Sequence, residues 1–265
     1  MIRKYPRTPH ILGSHLQPGD EDLAIAPFSA LAGRHVVVEE KMDGANCALS
    51  FAQDATLLLQ SRGHYLTGGP RERHFALFKQ WAHTFAGDFL DTLGDRYICY
   101  GEWLYAKHTL FYDALPHYFM EFDVLDTTHG AFLDTPARAV LLRGLPVVPV
   151  RVLFAGVLQN ERHLTGLLGP SLFKTTAAPA CLRAAALDMN LDPADIQRQT
   201  DLSPLMEGLY IKVEEDGSVQ ARYKFVRQDF ITRIADADEH WLMRPIIPNQ
   251  LAPGVDIFAT PGGAP

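Results

Sequence analysis

Apolar positions along this chain recur with two periods, one suited to strands and one to helices. Residues 35–40 carry Val36-Val37-Val38 and predict a short strand, after which Asp43-Gly44 marks a turn. Ala45, Cys47, Leu49 and Phe51 then alternate with Asn46, Ala48 and Ser50, as in a half-buried strand. Gln53-Asp54 turns the chain, and residues 57–60 return as the next strand. Phe78, Trp81, Ala82, Phe85, Phe89 and Leu93 keep helical spacing, which predicts an amphipathic helix over 72–93 with Gly87 as its weak point. Further strands are expected at 96–103 and 118–125. Thr135-Pro136 reads as the N-cap and first-turn proline of a short helix that Gly144 closes. Residues 147–153 read as a strand, at an edge because of Pro149, and 160–200 as helix and loop. A hairpin follows: residues 207–214, the turn Glu215-Asp216-Gly217, and residues 218–226.

The two ends lack this rhythm. The first thirty residues are rich in turn formers (Pro6, Pro9, Gly13, Pro18-Gly19, Pro27) and carry Arg3, Lys4 and Arg7. Beyond about 236 the chain is proline-rich, from Arg244-Pro245-Ile246-Ile247-Pro248 to the final Pro-Gly-Gly-Ala-Pro, and reads as an extended tail. The expected organisation is one domain over 1–235 and a tail over 236–265. Strands and helices are interspersed without a regular βαβ alternation. The expected fold class is therefore α+β, with mostly antiparallel sheets flanking a cleft.

Composition narrows the function. With 265 residues, 47% of them hydrophobic and 21% charged, the chain can bury a substantial core. No apolar run is long enough to span a bilayer, and the start lacks the apolar stretch of a signal peptide, so no membrane partner and a cytoplasmic location are expected. Cys47, Cys99 and Cys181 form no C-x-x-C pair, and the 11 histidines show no ligand spacing. A formal charge of −7 argues against indiscriminate nucleic-acid binding; such an enzyme needs a local basic strip.

The candidate chemistry centres on Glu40-Lys41-Met42-Asp43-Gly44-Ala45-Asn46. A lysine at the end of an apolar strand, fixed by a tight Asp-Gly turn, suits a nucleophile better than a solvated loop. This segment resembles motif I of the covalent nucleotidyltransferases, in the K-x-D/H-G-x-N form of RNA ligases that mend nicked duplex RNA. Further segments resemble the later motifs in order: Ser61-Arg62-Gly63 (Ia), Gly101-Glu102-Trp103 (IIIa), Phe119 to Val124 (III), Glu207 to Lys212 (IV) and Arg222-Tyr223-Lys224 (V). The resemblance spans about residues 36–227.

It implies a nucleotidyltransferase domain with an ATP cleft, in which Lys41 takes AMP from ATP as a phosphoramidate. AMP then passes to an RNA 5′-phosphate, and a 3′-hydroxyl attacks that end. The resemblance implies further roles. Lys224 and Arg222 would hold phosphates; the family usually has lysine at both positions, so Arg222 departs from it. Strand alternation puts these two on one face, opposite Val219, Ala221, Tyr223 and Phe225. Arg62 would contact ribose or phosphate, and Glu102 the ribose hydroxyls or a metal-bound water. Phe122 or Phe119 would stack on adenine, whose edge Glu40 or the Met42 backbone would read. Asn46 matches a position linked to the sealing steps. Lys212 touches phosphate or is merely solvated. Asp43, Glu102 and Glu207 together suggest a hydrated Mg²⁺, with Mn²⁺ as a substitute.

Three alternatives stand beside an RNA ligase. DNA ligases and capping nucleotidyltransferases usually append an OB-fold domain, for which little chain follows motif V. A non-catalytic nucleotide- or RNA-end-binding module would be expected to have lost the lysine or carboxylates. A core lacking the appended domain would call for dimerisation or a partner, such as an end-processing kinase or phosphatase. Arg3 to His10 and the region of His240 and Arg244 are candidate RNA contacts.

Overall fold

The computed structural model describes residues 2–16, 19–230 and 245–259. The strands in the first half are β1 (His10–Ile11), β2 (Ile25–Ala26), β3 (His35–Lys41), β4 (Ala45–Phe51), β5 (Leu57–Ser61), β6 (Tyr97–Trp103) and β7 (Phe119–Asp126). Those in the second half are β8 (Ala131–Phe132), β9 (Val148–Pro149), β10 (Val152–Val157), β11 (Gly208–Glu215) and β12 (Ser218–Val226). Helices α1 (Ala76–Thr84) and α2 (Ala86–Leu93) precede β6, and α3 (Thr135–Leu141) follows β8. After β10 come α4 (Glu161–Thr165), α5 (Ala178–Asp188) and α6 (Pro193–Arg198).

The valine run of β3 lies inside a sheet ordered β10-β3-β11-β12-β1-β2, and β4 in a second sheet ordered β5-β4-β6-β7-β8. Pairing is antiparallel except for β1 with β12 and β2, and β7 with β9. The α+β class with largely antiparallel sheets is therefore as expected. The β11–β12 hairpin turns at Asp216-Gly217, both with positive φ (52° and 78°), where glycine carries no steric cost.

Each sheet has an apolar face. Phe78, Trp81, Ala82 and Phe89 of α1 and α2 pack with Cys47, Leu49 and Phe119 of the second sheet. On the first sheet Val36, Val38, Leu209, Ile211 and Val213 form a separate cluster, joined by Ala221, Tyr223 and Phe225. That places Ala221, Tyr223 and Phe225 on the face expected from alternation.

Five details differ from the sequence reading. The 72–93 segment is a 3-10 turn (Pro70–Phe75) and two helices that break at Phe85, two residues before Gly87, with both apolar faces on one core. β4 is buried on both faces, because Tyr5 of the N-terminal segment packs with Ala48 and Tyr100 on the side expected to be wet. The N-cap of α3 is Asp134, which accepts from Ala137 N, while the Thr135 hydroxyl donates to Glu214 Oε1 at 2.7 Å. Residues 147–153 divide between β9 and β10, in different sheets. Residues 245–259 are extended but not loose: Asn249 N donates to Tyr105 O and its side chain to Leu104 O, and Ile247 and Ile257 are buried. His240 and Arg244 lie outside the described residues.

Between the sheets the filling is charged. Arg138 of α3 joins Glu121 Oε1 (2.6 Å) to Glu39 Oε1 (3.1 Å), and Lys212 donates to Glu39 Oε1 at 2.9 Å. Lys212 also reaches the Phe122 carbonyl and lies 3.8 Å from Asp123, whose other oxygen accepts from Arg222 Nε at 2.7 Å. Burial alone would raise Asp123, but the Lys212, Arg222 and Arg138 charges outweigh it and hold the carboxyl below the usual range. Removing one member of such a network leaves a buried charge unmatched. Arg138→Met should cost about 3–5 kcal/mol in urea unfolding; a loss under about 1 kcal/mol would show that these charges are hydrated or rearranged.

Candidate active site

Lys41 ends β3 with its ammonium 2.6 Å from Glu207 Oε1. Gly208, the next residue, sits opposite Lys41 in the β3–β11 ladder, and a Cβ there would lie 2.0 Å from the Phe225 carbonyl oxygen, so only glycine fits. Gly44 is constrained too: its Cβ would lie 2.7 Å from Leu104 and 2.8 Å from the Trp103 carbonyl oxygen. The Asp-Gly turn is thus pressed against the end of β6. Asp43 fixes it further, because its Oδ2 accepts from Thr109 N (2.7 Å) and Leu110 N (2.6 Å), while Asp43 N donates to Tyr112 OH.

These contacts bring Glu102, Glu207 and Asp43 around one lysine. Burial presses the Lys41 pKa down, but Glu207, then Glu102 and Asp43, outweigh it and hold it above the ordinary lysine value. The ion pair with Glu207 therefore dominates, and the ammonium is the favoured form. Burial lifts Glu102 to about 8 against the pull of Lys41, with Glu207 and Asp43 adding to the rise. Among the described residues no group of three or more His, Cys, Asp or Glu is arranged to hold a metal ion directly.

The other expected residues separate into groups. Lys224 shares this end of the cleft: burial and the Lys41 charge lower its pKa, and its Nζ is bound by Asp20. Asn46 lies opposite Glu102 in the β4–β6 ladder, its Oδ1 buried without a hydrogen-bond partner among the described residues. Glu40 is buried and already engaged, by Ser171 Oγ at 2.5 Å and Leu172 N at 3.1 Å. The Met42 side chain is core. Arg62 is exposed in the turn after β5 and bonds none of the other candidates. Lys212 and Arg222 point into the buried charge network, and the Arg222 guanidinium also covers the Phe132 ring at 3.9 Å. Lys212 is thus not a solvated strand residue.

Packing separates the two phenylalanines. Phe119 is fully buried against Phe78 and Trp81. Phe122 is the extra residue of a β-bulge, where Asp123 pairs with Tyr100 and Glu121 with Gly101. A bulge re-aims a side chain, and Phe122 lies edge-on to Tyr5 and 6.3 Å from the Tyr210 ring.

Asp20 and Lys174 escaped the sequence reading, and Tyr5 and His10, read there only as part of a segment of RNA contacts, are buried in the fold. Lys174 donates to the Asp201 and Ser203 carbonyls, and burial with the Arg227 charge lowers it to about 8, against Asp43, Asp113 and Glu40. Tyr5 bonds Asp123 and Tyr210, and Asp20 bonds Lys224, all far along the chain, so no local spacing marks those contacts.

A carboxyl whose folded pKa exceeds its unfolded value contributes stability that is full below the unfolded value and falls as pH rises through the folded one. For Glu102 that window runs from the ordinary 4.5 to about 8. Without metal or nucleotide, wild-type Tm should therefore fall across this range relative to Glu102→Gln; parallel melting curves against pH would refute a Glu102 carboxyl raised by burial and its acidic neighbours.

Comparison with known proteins agrees with this geometry. The family model described as RNA ligase matches residues 34–226. No curated protein matches. Among solved structures, a glutamate-to-alanine mutant of the Naegleria gruberi RNA ligase with ATP and Mn is similar, at 17% identity and TM-score 0.54, over 88% of this chain and 58% of that one. A second such mutant with AMP and Mn aligns at 16% identity and TM-score 0.54, over 89% and 59%. The same ligase with PPi aligns at 17% identity and TM-score 0.50, also over 89% and 59%. The chain thus spans less than two thirds of those chains, and at these identities they show a shared fold. Since the family match contains the Lys41 turn, the β11–β12 hairpin and nearly all of the cleft between them, the chain belongs to the RNA ligase family.

Proposed function

We propose that the chain is an ATP-dependent RNA ligase that carries AMP on Lys41. The observation that carries this reading is the Lys41 ammonium fixed at a strand end, 2.6 Å from Glu207 and beside the Lys224 charge. Lys41 must lose a proton before its amine attacks the α-phosphate. Glu207 Oε1 stands at hydrogen-bond distance to accept it. The N–P bond then forms as the bond to pyrophosphate breaks. Lys224 supplies positive charge to the transferring phosphate. The Naegleria structures with ATP, AMP and PPi support this reading, because these are the substrate, transferred group and leaving group of the step.

Phe122 offers a face for the adenine, with Tyr210 across from it. Glu40, the Met42 backbone, Asn46 and Arg62 remain the proposed contacts for base, sealing step and phosphate. Lys212 and Arg222 act on that site through the wall they build, each being ion-paired in the buried network. Asp43, Glu102 and Glu207 would hold hydrated Mg²⁺, or Mn²⁺, through its waters. The raised Glu102 pKa fits this, since burial first and then the Glu207 and Asp43 charges favour an added positive charge. When bound, the ion would supply charge neutralisation at the phosphates.

The later steps need RNA with a 5′-phosphate and a 3′-hydroxyl, so an end-processing kinase or phosphatase is the class of partner we propose. Among the described residues no helix is long and apolar enough to cross a membrane; a cytoplasmic setting is part of the proposal.

The test is incubation with Mg²⁺ and ATP labelled at the α-phosphate, followed by a denaturing gel. Label should survive denaturation, be released by acid, and vanish in Lys41→Ala, which should also fail to seal nicked RNA. No label from protein first stripped of AMP with pyrophosphate would leave the binding-module reading. Faster sealing of nicks with DNA on the 3′-hydroxyl side would favour a DNA ligase.

A further inference from the structure

Lys224 is held from outside the motif it belongs to. β1 lies parallel to β12 with His10 opposite Lys224, and Lys224 N donates to the Pro9 carbonyl at 3.0 Å. This pairing brings the N-terminal segment onto the lysine side chain. Asp20 Oδ2 binds Lys224 Nζ, and the same oxygen lies 3.3 Å from His10 Nε2. The other Asp20 oxygen is 3.6 Å from Arg7, whose closer bonds go to Asp22 at 2.6 and 2.7 Å.

The polar chain behind Asp20 has a direction. Val226 N donates to Ser14 Oγ at 2.8 Å, so the hydroxyl is free to donate to His10 Nδ1 at 2.7 Å. His10 then carries its proton on Nε2 and donates it to Asp20. Burial and the Lys224 charge keep the His10 pKa below the ordinary value, in keeping with a neutral ring. His10 is fully buried and can do little else but aim that carboxylate.

The consequence concerns the two lysines. Each has its own carboxylate: Glu207 for Lys41 and Asp20 for Lys224. Glu207 also attracts Lys224. Without Asp20, Lys224 would swing toward Glu207 and compete with Lys41 for the oxygen proposed to take its proton. Resting on the lysyl-AMP reading above, we propose that Asp20, aimed by His10, is a positioning residue that holds the Lys224 ammonium in place for AMP transfer.

The test is single-turnover formation of the labelled lysyl-AMP adduct by wild type, Asp20→Asn and Asp20→Glu, with Tm measured for each. The Asn variant should lose about tenfold to a hundredfold in rate at saturating ATP, with half-saturation changed less than about threefold, because the charge acts mainly as negative charge develops in transfer. Asp20→Glu should recover part of the loss. It also serves as the probe if the Asn variant does not fold, and then a modest drop in saturated rate is expected. Wild-type rate in Asp20→Asn, or a loss fully explained by its unfolded fraction, overturns the role of Asp20 and leaves Lys41 chemistry intact. Absence of label in the wild type removes both.

Discussion

Charge balance between the two sheets is the constraint on which the remaining structure depends. Glu39, Glu121 and Asp123 face Arg138, Lys212 and Arg222 in a space that lets in almost no water. Facing sheets usually close on apolar side chains. Here the apolar faces are turned away, one to α1 and α2 and one to the other side of the first sheet. The space between the sheets is therefore polar beside the apolar cluster that Tyr5 forms with Ala48, Tyr100 and Phe122, and Lys41 and Lys224 stand at the sheet ends. The matched charges tie the two sheets together, Glu39 and Lys212 on one side meeting Glu121 and Asp123 on the other through Arg138 and Lys212. Tyr5 completes the wall by bonding Asp123 and Tyr210 together, so the N-terminal segment is part of this balance.

What could be read from the sequence divides along range. β3, the Asp-Gly turn, β4 and the β11–β12 hairpin follow from local period and turn chemistry, and they place Lys41, Gly44 and Lys224 on the right elements. The glycines were legible as turn or motif residues, but the reason for them was not. Gly44 and Gly208 are forced by approaching backbone or side chains from distant strands. Failures fall where a distant partner decides. Thr135 looks like an N-cap, yet Glu214 takes its hydroxyl and Asp134 caps instead. Lys212 and Arg222 alternate onto the cleft side as expected, but Glu39 and Asp123 claim them there. Asp20 and Lys224 lie 204 positions apart, so no spacing rule could join them.

The acidic charge of the chain also reads differently once the network is seen. The six buried charges between the sheets cancel, so the formal −7 of the whole chain is carried outside them. Two cations that the motifs suggest for phosphate, Lys212 and Arg222, are already neutralised. Attraction for a phosphate must then come from other groups: Lys224, whose charge Asp20 shares, and exposed cations such as Arg62, Arg3 and Lys4. On the proposed function, such a surface would attract RNA at selected points rather than along a broad basic face, which would suit recognition of ends more than of length.

On the proposed function, the Lys41–Glu207 pair would both suppress and prepare the nucleophile. An ammonium ion-paired at 2.6 Å has no lone pair to offer, and its raised pKa favours that form. The same geometry gives the departing proton a destination that needs no diffusion. What must change is the electrostatic surplus that favours the ammonium, to which Glu102 and Asp43 contribute besides Glu207. Protonating or screening those carboxylates weakens the hold on the proton while leaving the hydrogen bond in place. Glu102, already near neutrality at about 8, is the member of the group most easily silenced. The crowding that costs the fold stability is therefore also what makes the lysine switchable, and a more stable arrangement with one carboxylate fewer would lose part of that control.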